Sequence, residues 1–350
     1  MFDGKSVLIT GGTGSFGRKY VDTLINRTKA ERIVVFSRDE QKHFQLQQLY
    51  GDESRLRFFV GDVRDYDRLD MALQGVDLVI HAAAMKHVPI AEYNPFECLK
   101  TNVNGAENLI RAAMSRGVDK VIALSTDKAA CPINLYGSSK LASDKCFVAA
   151  NNMSGKDGPR FSVVRYGNVV GSNGSVVPFF RNLIDQGATS LPITHMEMTR
   201  FWITLQQGVD FVIKNFARMQ GGEVFVPKIP TVRVTDLARA MAPGCELREV
   251  GIRPGEKLHE VMCPRDDSHL TLEFDDHYVM KPTITYGDRE IDFSVNVIGE
   301  RGRPVESQFE YRSNENFHVL DEDEIRAYND YAAENVSFTP FGLEKALIAS

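Results

Sequence analysis

Ser125-Thr126-Asp127-Lys128 closes an apolar run, Val121-Ile122-Ala123-Leu124, and Tyr136 and Lys140 follow at a spacing of four. Residues four apart share one face of a helix. A lysine ammonium beside a phenol lowers its pKa, and it can also hold a ribose hydroxyl. A phenol so activated removes a proton from an alcohol while hydride leaves the carbon. Thr126, Asp127, Lys128, Tyr136 and Lys140 are therefore the candidate reacting residues. Asp127 and Lys128 set an acid beside a base. A lysine that accepts a proton must be neutral, which calls for a lowered pKa in a buried site. The same dipeptide equally describes an exposed ion pair on a loop. Tyr-x-x-x-Lys alone is common by chance, and its specificity comes from its position after the fifth apolar run and from a glycine loop upstream.

That loop is Thr10-Gly11-Gly12-Thr13-Gly14-Ser15-Phe16-Gly17, directly after the first apolar run. It satisfies GxGxxG through Gly12, Gly14 and Gly17, and GxxGxxG through Gly11, Gly14 and Gly17. Glycines there let the backbone turn sharply and approach a pyrophosphate resting on a helix N-terminus. Gly11, Thr13, Gly14, Ser15, Phe16 and Gly17 are the expected cofactor contacts; the other reading is a tight structural turn. A nucleoside-triphosphate loop is excluded, because Arg18-Lys19 stands where Lys-Ser/Thr is required. After the second run an NAD site usually places an acid. Here Ser37 and Arg38 stand there, with Lys42 one helical turn on. A hydroxyl and two cations suit a 2′-phosphate, so NADP is predicted; a capping Ser37 with solvated cations is the alternative. Asp62 and Val63, after the third run, are placed to meet the adenine, although Asp62 also reads as a turn residue.

Elements must bring these residues together. Ser6–Thr10, Arg32–Phe36, Leu56–Val60, Leu78–His81, Val121–Ser125 and Phe161–Arg165 are continuous apolar runs suited to strands covered on both faces. Helical spacing separates them, as at Phe16, Val21, Leu24 and Ile25. The pattern predicts an α/β fold, a Rossmann-type doubly wound parallel sheet. Residues 1–167 should form the dinucleotide-binding domain. Residues 168–350 should form mainly a smaller substrate-binding cap and a C-terminal extension, with later segments able to return to the sheet. Gly171–Ser175 reads as loop, Pro178 opens a helix, Tyr278–Met280 is β-like, and Asp321–Glu324 starts an acidic helix.

The 350 residues are 43% hydrophobic and 25% charged, which excludes disorder and a disulfide mini-protein. A net charge of -6 gives no basic footprint for nucleic acid. Five widely spaced cysteines form no CxxC, and eight histidines form no metal motif, so reduced thiols, no metal and a cytoplasmic location are expected. The opening MFDGKSVLITGG has no basic segment before a long apolar one, and no apolar stretch is long enough for a bilayer, so neither a signal peptide nor a membrane partner is expected.

The glycine loop with Ser/Thr and Tyr-x-x-x-Lys resembles the extended short-chain dehydrogenase/reductase superfamily. Within it, Ala84-Met85-Lys86-His87-Val88-Pro89, Leu124–Ala130, Asn134-Leu135-Tyr136-Gly137, Arg165–Gly171, Met198–Trp202 and Gly251–Glu260 resemble the UDP-N-acetylglucosamine 4,6-dehydratases that invert C5. The likeness runs from residue 4 to about 275. It implies UDP-GlcNAc as substrate and a tightly bound NADP regenerated in each cycle. Lys128 would remove the C5 proton and Asp127 would protonate the leaving C6 hydroxyl. It also implies a cofactor contact at Val169, and Lys86 facing the sugar or the cofactor ribose. Asn168 and the Gly171–Val177 loop, Val177 included, would meet the uridine diphosphate. Arg200 and Arg253 would bind phosphate, Glu256 a ribose hydroxyl, and Pro192 to Thr194 the uracil. Relatives of this kind are homo-oligomers, commonly hexamers, and open pseudaminic acid or capsule synthesis. A UDP-sugar 4-epimerase shares the loop, Tyr and Lys but eliminates no water and does not need Asp127-Lys128. A non-catalytic NADP-binding regulator predicts a damaged constellation, and here it is intact.

Overall fold

The apolar runs of the first half become strands because both of their faces are covered. The computed structural model describes residues 1–172, 175–284 and 291–336. In it β1 (Ser6–Thr10), β2 (Arg32–Ser37), β3 (Leu56–Val60), β4 (Leu78–His81), β5 (Lys120–Thr126) and β6 (Arg160–Tyr166) alternate with helices. These are α1 (Ser15–Arg27), α2 (Glu40–Tyr50), α3 (Tyr66–Ala72), α4 (Val88–Tyr93), α5 (Pro95–Leu99), α6 (Gly105–Arg116) and α7 (Leu135–Met153). A π-helical turn, Lys100–Asn104, joins α5 to α6.

Beyond β6 come β7 (Asn168–Val169), α8 (Val176–Asp185), β8 (Ser190–Ile193), β9 (Thr199–Ile203), α9 (Leu205–Arg218), β10 (Val224–Pro227), β11 (Thr231–Arg233), α10 (Val234–Met241) and β12 (Glu246–Glu249). Then follow β13 (Val261–Cys263), β14 (Thr271–Glu273), β15 (His277–Met280), β16 (Arg303–Pro304), β17 (Tyr311–Arg312) and α11 (Glu322–Val336). Thr204 and Gln207 form a reciprocal capping box that starts α9.

The large sheet runs β16-β14-β15-β10-β6-β5-β4-β1-β2-β3. Neighbours from β10 to β3 pair in parallel, while β15, β14 and β16 add antiparallel strands at one edge. Strand order reverses between β1 and β4, which puts the ligand crevice outside their carboxyl ends. Thr10 and His81 are register partners there, as are Thr126 and Tyr166 on β5 and β6.

The two-part division is interleaved. β10, β14, β15 and β16 return to the large sheet, so much of the second half belongs to the first core. A separate core joins Val177, Phe180, Trp202, Leu237 and Ile325 into the smaller body. The helix expected at Pro178 begins at Val176, with Ser175 at its N-cap. The β-like stretch is β15, and the acidic start opens α11. Asn173 and Gly174 of the expected loop lie outside the described residues.

Candidate active site

β5 delivers Thr126 to the crevice, and a single 3-10 turn, Asp127–Ala129, follows it. Thr126 Oγ1 accepts from the Lys128 amide and lies 2.9 Å from Asp127 Oδ1, to which it donates. Lys128 Nζ donates to Asp127 Oδ1 at 3.0 Å and stands 3.3 Å from Glu260 Oε1. Asp127 is buried, and its Oδ2 has no hydrogen-bond partner among the described residues. The adjacent acid and base are therefore not an exposed loop pair. Asn134 caps α7 by accepting from the Gly137 amide at 2.7 Å, and its Nδ2 donates to Gly255 O at 2.7 Å. That second bond ties the Arg253-Pro254-Gly255 turn to the helix carrying Tyr136 and Lys140. Gly137 is needed because any Cβ would run into the Lys128 carbonyl. Lys140 is buried on the inward face of α7, and Asp144, one turn on, pairs with Arg165 at 3.1 Å.

The electrostatics correct two expectations. Lys128 does not have a lowered pKa. Burial works to lower it, but the Asp127 and Glu260 carboxylates outweigh burial and hold it well above the usual lysine range, as an ammonium. Tyr136 is not activated in the free protein either. Burial pushes its phenol up to about 12, against the pull of Lys128 and of a hydrogen bond to Thr126. The cation opposing the rise is thus Lys128 rather than Lys140. Burial lowers Lys140 itself, with Asp144 acting in the other direction. His81, hydrogen-bonded through Nδ1 to Thr10 Oγ1 at 2.8 Å, is driven down to about 3 by burial and the Lys140 charge, and is neutral.

The glycine loop forms the other half of the crevice. Gly11 has φ +66, and a Cβ there would lie 2.9 Å from the Ala83 amide nitrogen. A Cβ on Gly17 would collide with the Gly12 backbone. Gly14 sits at the N-cap of α1 and no side chain caps the helix, so its first amides are free of such a partner. Thr13 Oγ1 meets Ser37 Oγ at 2.7 Å, joining the loop to the end of β2. Phe16 stacks on Tyr20 and Tyr166. Asp39, not Ser37, caps α2 and pairs with Lys42 at 2.9 Å. Arg38 is exposed and lies 3.6 Å from Asp62, which Arg64 also holds. Val63 is a core residue packed against Gly105, so its side chain is not offered to an adenine.

The remaining expected contacts divide. Asn168 carries a buried Oδ1 on β7, beside Val169, with no hydrogen-bond partner among the described residues. Lys86 is exposed after β4, and Pro192 and Thr194 are half-buried at the end of β8. Arg253 is exposed, 3.9 Å from Glu256, whose Oε2 has no partner. Arg200 departs from expectation. It is buried, and its Nη1 donates to the Thr199 and Leu258 carbonyls while Nη2 donates to Lys257 O, which leaves no fork facing a phosphate. Val177 packs into the second core, because α8 turns that face toward α10 and away from solvent. Three residues escaped sequence reasoning: Glu260, Asp144 and Arg165. Asp144 had a signal, the continued four-residue spacing after Tyr136 and Lys140; Glu260 closes the Gly251–Glu260 motif, which marks the segment and says nothing of its contact with Lys128.

The family described as polysaccharide biosynthesis protein matches residues 7–282. A UDP-N-acetylglucosamine 4,6-dehydratase (inverting) of Campylobacter jejuni is 57% identical over 93% of this chain and 97% of its own length. A UDP-glucose 4-epimerase of Rickettsia bellii is 40% identical over 79% of this chain and 83% of its own. The solved structure of Pen from Bacillus thuringiensis superposes with a TM-score of 0.84, at 33% identity over 95% of this chain and 99% of that one.

Proposed function

The chain belongs to the polysaccharide biosynthesis protein family, and we propose that it is an inverting UDP-N-acetylglucosamine 4,6-dehydratase. The observation that carries this reading is the buried Asp127 bonded to Lys128 at 3.0 Å, at the end of the strand whose next helix carries Tyr136 and Lys140. An epimerase has no use for that pair.

The crevice fits a dinucleotide: its glycines leave room for backbone only, and α1 presents uncapped amides to an anion. A bound nicotinamide dinucleotide would supply reversible hydride transfer, taken from C4 and returned to C6. Gly11, Thr13, Gly14, Ser15, Phe16 and Gly17 would hold it, with Lys140 at its ribose. We assign NADP on the hydroxyl of Ser37 and the cations of Arg38 and Lys42, which follow β2; in the free protein Ser37 meets Thr13, Arg38 lies by Asp62 and Lys42 by Asp39.

Tyr136 acts as a phenolate: its phenol must first give its proton to solvent, a loss that the Lys128 charge and the Thr126 hydrogen bond favour and burial opposes. The phenolate then takes the proton of the C4 hydroxyl, and the resulting ketone acidifies C5–H. The Lys128–Asp127 ion pair explains how a charged lysine serves as base. Moving one proton along their hydrogen bond turns an ammonium and a carboxylate into a neutral amine and a carboxylic acid. The amine then takes the C5 proton, and the acid protonates the C6 hydroxyl, which departs as water. The pair ends as the ion pair it began as. A solvent-derived proton reaching C5 from the opposite face gives the L-arabino 4-keto-6-deoxy sugar. Asn168, Arg253 and Glu256 are assigned to the nucleotide, with Lys86 at the sugar and Pro192 and Thr194 at the base.

We also assign a homo-oligomer, on the exposed apolar side chains of Ile90, Tyr93 and Phe96 on neighbouring helices α4 and α5. A cytoplasmic location suits the free cysteines. No helix among the described residues is long and apolar enough to cross a membrane. The test is NMR and mass spectrometry of the product formed from UDP-GlcNAc. A product lighter by one water and inverted at C5 is expected; an isomer of unchanged mass would make the protein an epimerase.

A further inference from the structure

Glu260 immediately precedes β13, far in sequence from the reacting residues, yet its carboxylate lies among them. It is 2% exposed. Its Oε1 stands 3.3 Å from Lys128 Nζ and 3.9 Å from Arg200 Nε, and its Oε2, 3.9 Å from Lys257 Nζ, has no hydrogen-bond partner among the described residues. Its backbone is clamped at both polar atoms: the amide donates to Ser313 Oγ at 2.9 Å, and the carbonyl accepts from the Ser313 amide at 2.8 Å. A buried carboxylate held this firmly and left half unsatisfied costs stability unless it acts on something. What it faces is the amine of Lys128.

We infer that Glu260 is a positioning residue for the elimination, holding the Lys128 amine as a second carboxylate beside Asp127 and governing how readily that amine gives up its proton. This rests on the dehydratase reading and adds to it a third member of the acid–base unit. With Asp127 alone, the amine could swing about one hydrogen bond. With two carboxylates within 3.3 Å it has a second anchor. Glu260 also biases the shared proton toward nitrogen, so the amine stays charged until substrate binds. The charged and titratable groups around Lys128 are Asp127, Glu260, Arg200, Lys257 and Tyr136. Arg200 and Lys257 counter the charge of Glu260, which gives buried Arg200 a role other than phosphate binding. Removing Glu260 therefore leaves Lys128 with one carboxylate and two nearby cations.

The test labels the protein at fixed alkaline pH with an amine-selective acylating reagent and measures the rate at each lysine by peptide mass spectrometry. Only the neutral amine reacts, so the rate at Lys128 reports its proton affinity without substrate. Loss of an opposite charge at this distance moves a pKa by about one to three units. Glu260→Gln should therefore label about 10- to 1000-fold faster at Lys128, with Lys257, which also pairs with Glu260, speeding up as well and the lysines outside this cluster unchanged. Glu260→Asp should return most of the way to wild type, and turnover should fall in Glu260→Gln and partly recover in Glu260→Asp. An unchanged Lys128 rate in Glu260→Gln, or equal behaviour of Gln and Asp, overturns the inference. If Glu260→Gln labels fast at every lysine, its fold is lost and Asp127→Asn decides. There Glu260 remains as the carboxylate on the amine, so labelling of Lys128 should keep rising with pH after the solvent-facing lysines have levelled; levelling with them overturns the inference. A wild type that removes no water from UDP-GlcNAc would instead sink the dehydratase reading and leave the labelling result standing.

Discussion

The loop after β1 and the turn after β5 lie at the carboxyl ends of strands in one sheet, yet they are built in opposite ways. The loop works through what is missing: Gly11, Gly14 and Gly17 clear space so that main-chain amides at the start of α1 face a ligand. The turn works through what is crowded in: Asp127, Lys128 and Glu260 are charged groups paired with one another before any ligand arrives. A backbone cradle has no titrating group, so its affinity should depend little on pH. A cluster of coupled charges has a protonation state, and activity should follow it. The difference separates binding from chemistry, and each half can be damaged alone.

The largest effect is expected at Lys128. Lys128→Met should reduce solvent deuterium incorporation at C5 by about 10²- to 10⁴-fold, the range for loss of a general base. Dinucleotide affinity, measured by calorimetry, should hardly change. Normal deuterium incorporation would remove Lys128 from the role of base. Reduced dinucleotide affinity would blur the separation between the two regions.

The converse damage comes from Gly17→Ala. The new Cβ meets the Gly12 backbone, which has no flexible end to move aside. Overpacking of this kind costs about 1–3 kcal/mol. Dinucleotide binding should weaken by about 10- to 100-fold at about 1.4 kcal/mol per decade. Enzyme saturated with dinucleotide should keep much of its C5 exchange rate. Wild-type affinity in this variant would mean that the loop is a structural turn only.

The same contrast explains what the sequence made legible. β1 to β6, the glycine loop and the Tyr136–Lys140 spacing are local patterns, carried by a few consecutive residues and by two periodicities. The charge state of Lys128 is not local. It depends on Glu260, which the chain brings to β5 only by way of the paired strands β13 and β17 and the Ser313 clamp. Arg200 misled for a related reason: a motif names the residue type, while the carbonyls of Lys257 and Leu258 that consume its donors come from another segment. Val63 and Val177 have their side chains buried in the two cores, and a valine beside a site and a valine beneath it look alike in sequence. Asp39 caps α2 from within a Ser37-Arg38-Asp39 segment in which a cap and a phosphate contact call for the same residue types.

The smallest effect sharpens the comparison where backbone cradle gives way to side-chain recognition. Arg38 is 62% exposed and 3.6 Å from Asp62, so its pairing in the free protein is weak and screened. A charge-assisted hydrogen bond to a 2′-phosphate contributes about 1.5–3 kcal/mol when well formed. Exposure should bring the cost of Arg38→Ala near the lower figure, about tenfold in NADP affinity. NAD affinity should stay unchanged, because the pyrophosphate cradle is untouched. The NADP effect should shrink with added salt, since exposed charges are screened at about 10 Å in 0.1 M salt. Loss of Gly17 should instead be insensitive to salt and fall equally on both dinucleotides. If Arg38→Ala weakens NAD and NADP alike, Arg38 supports the end of β2 and does not read the phosphate, and the cofactor assignment then rests on Ser37 and Lys42 alone.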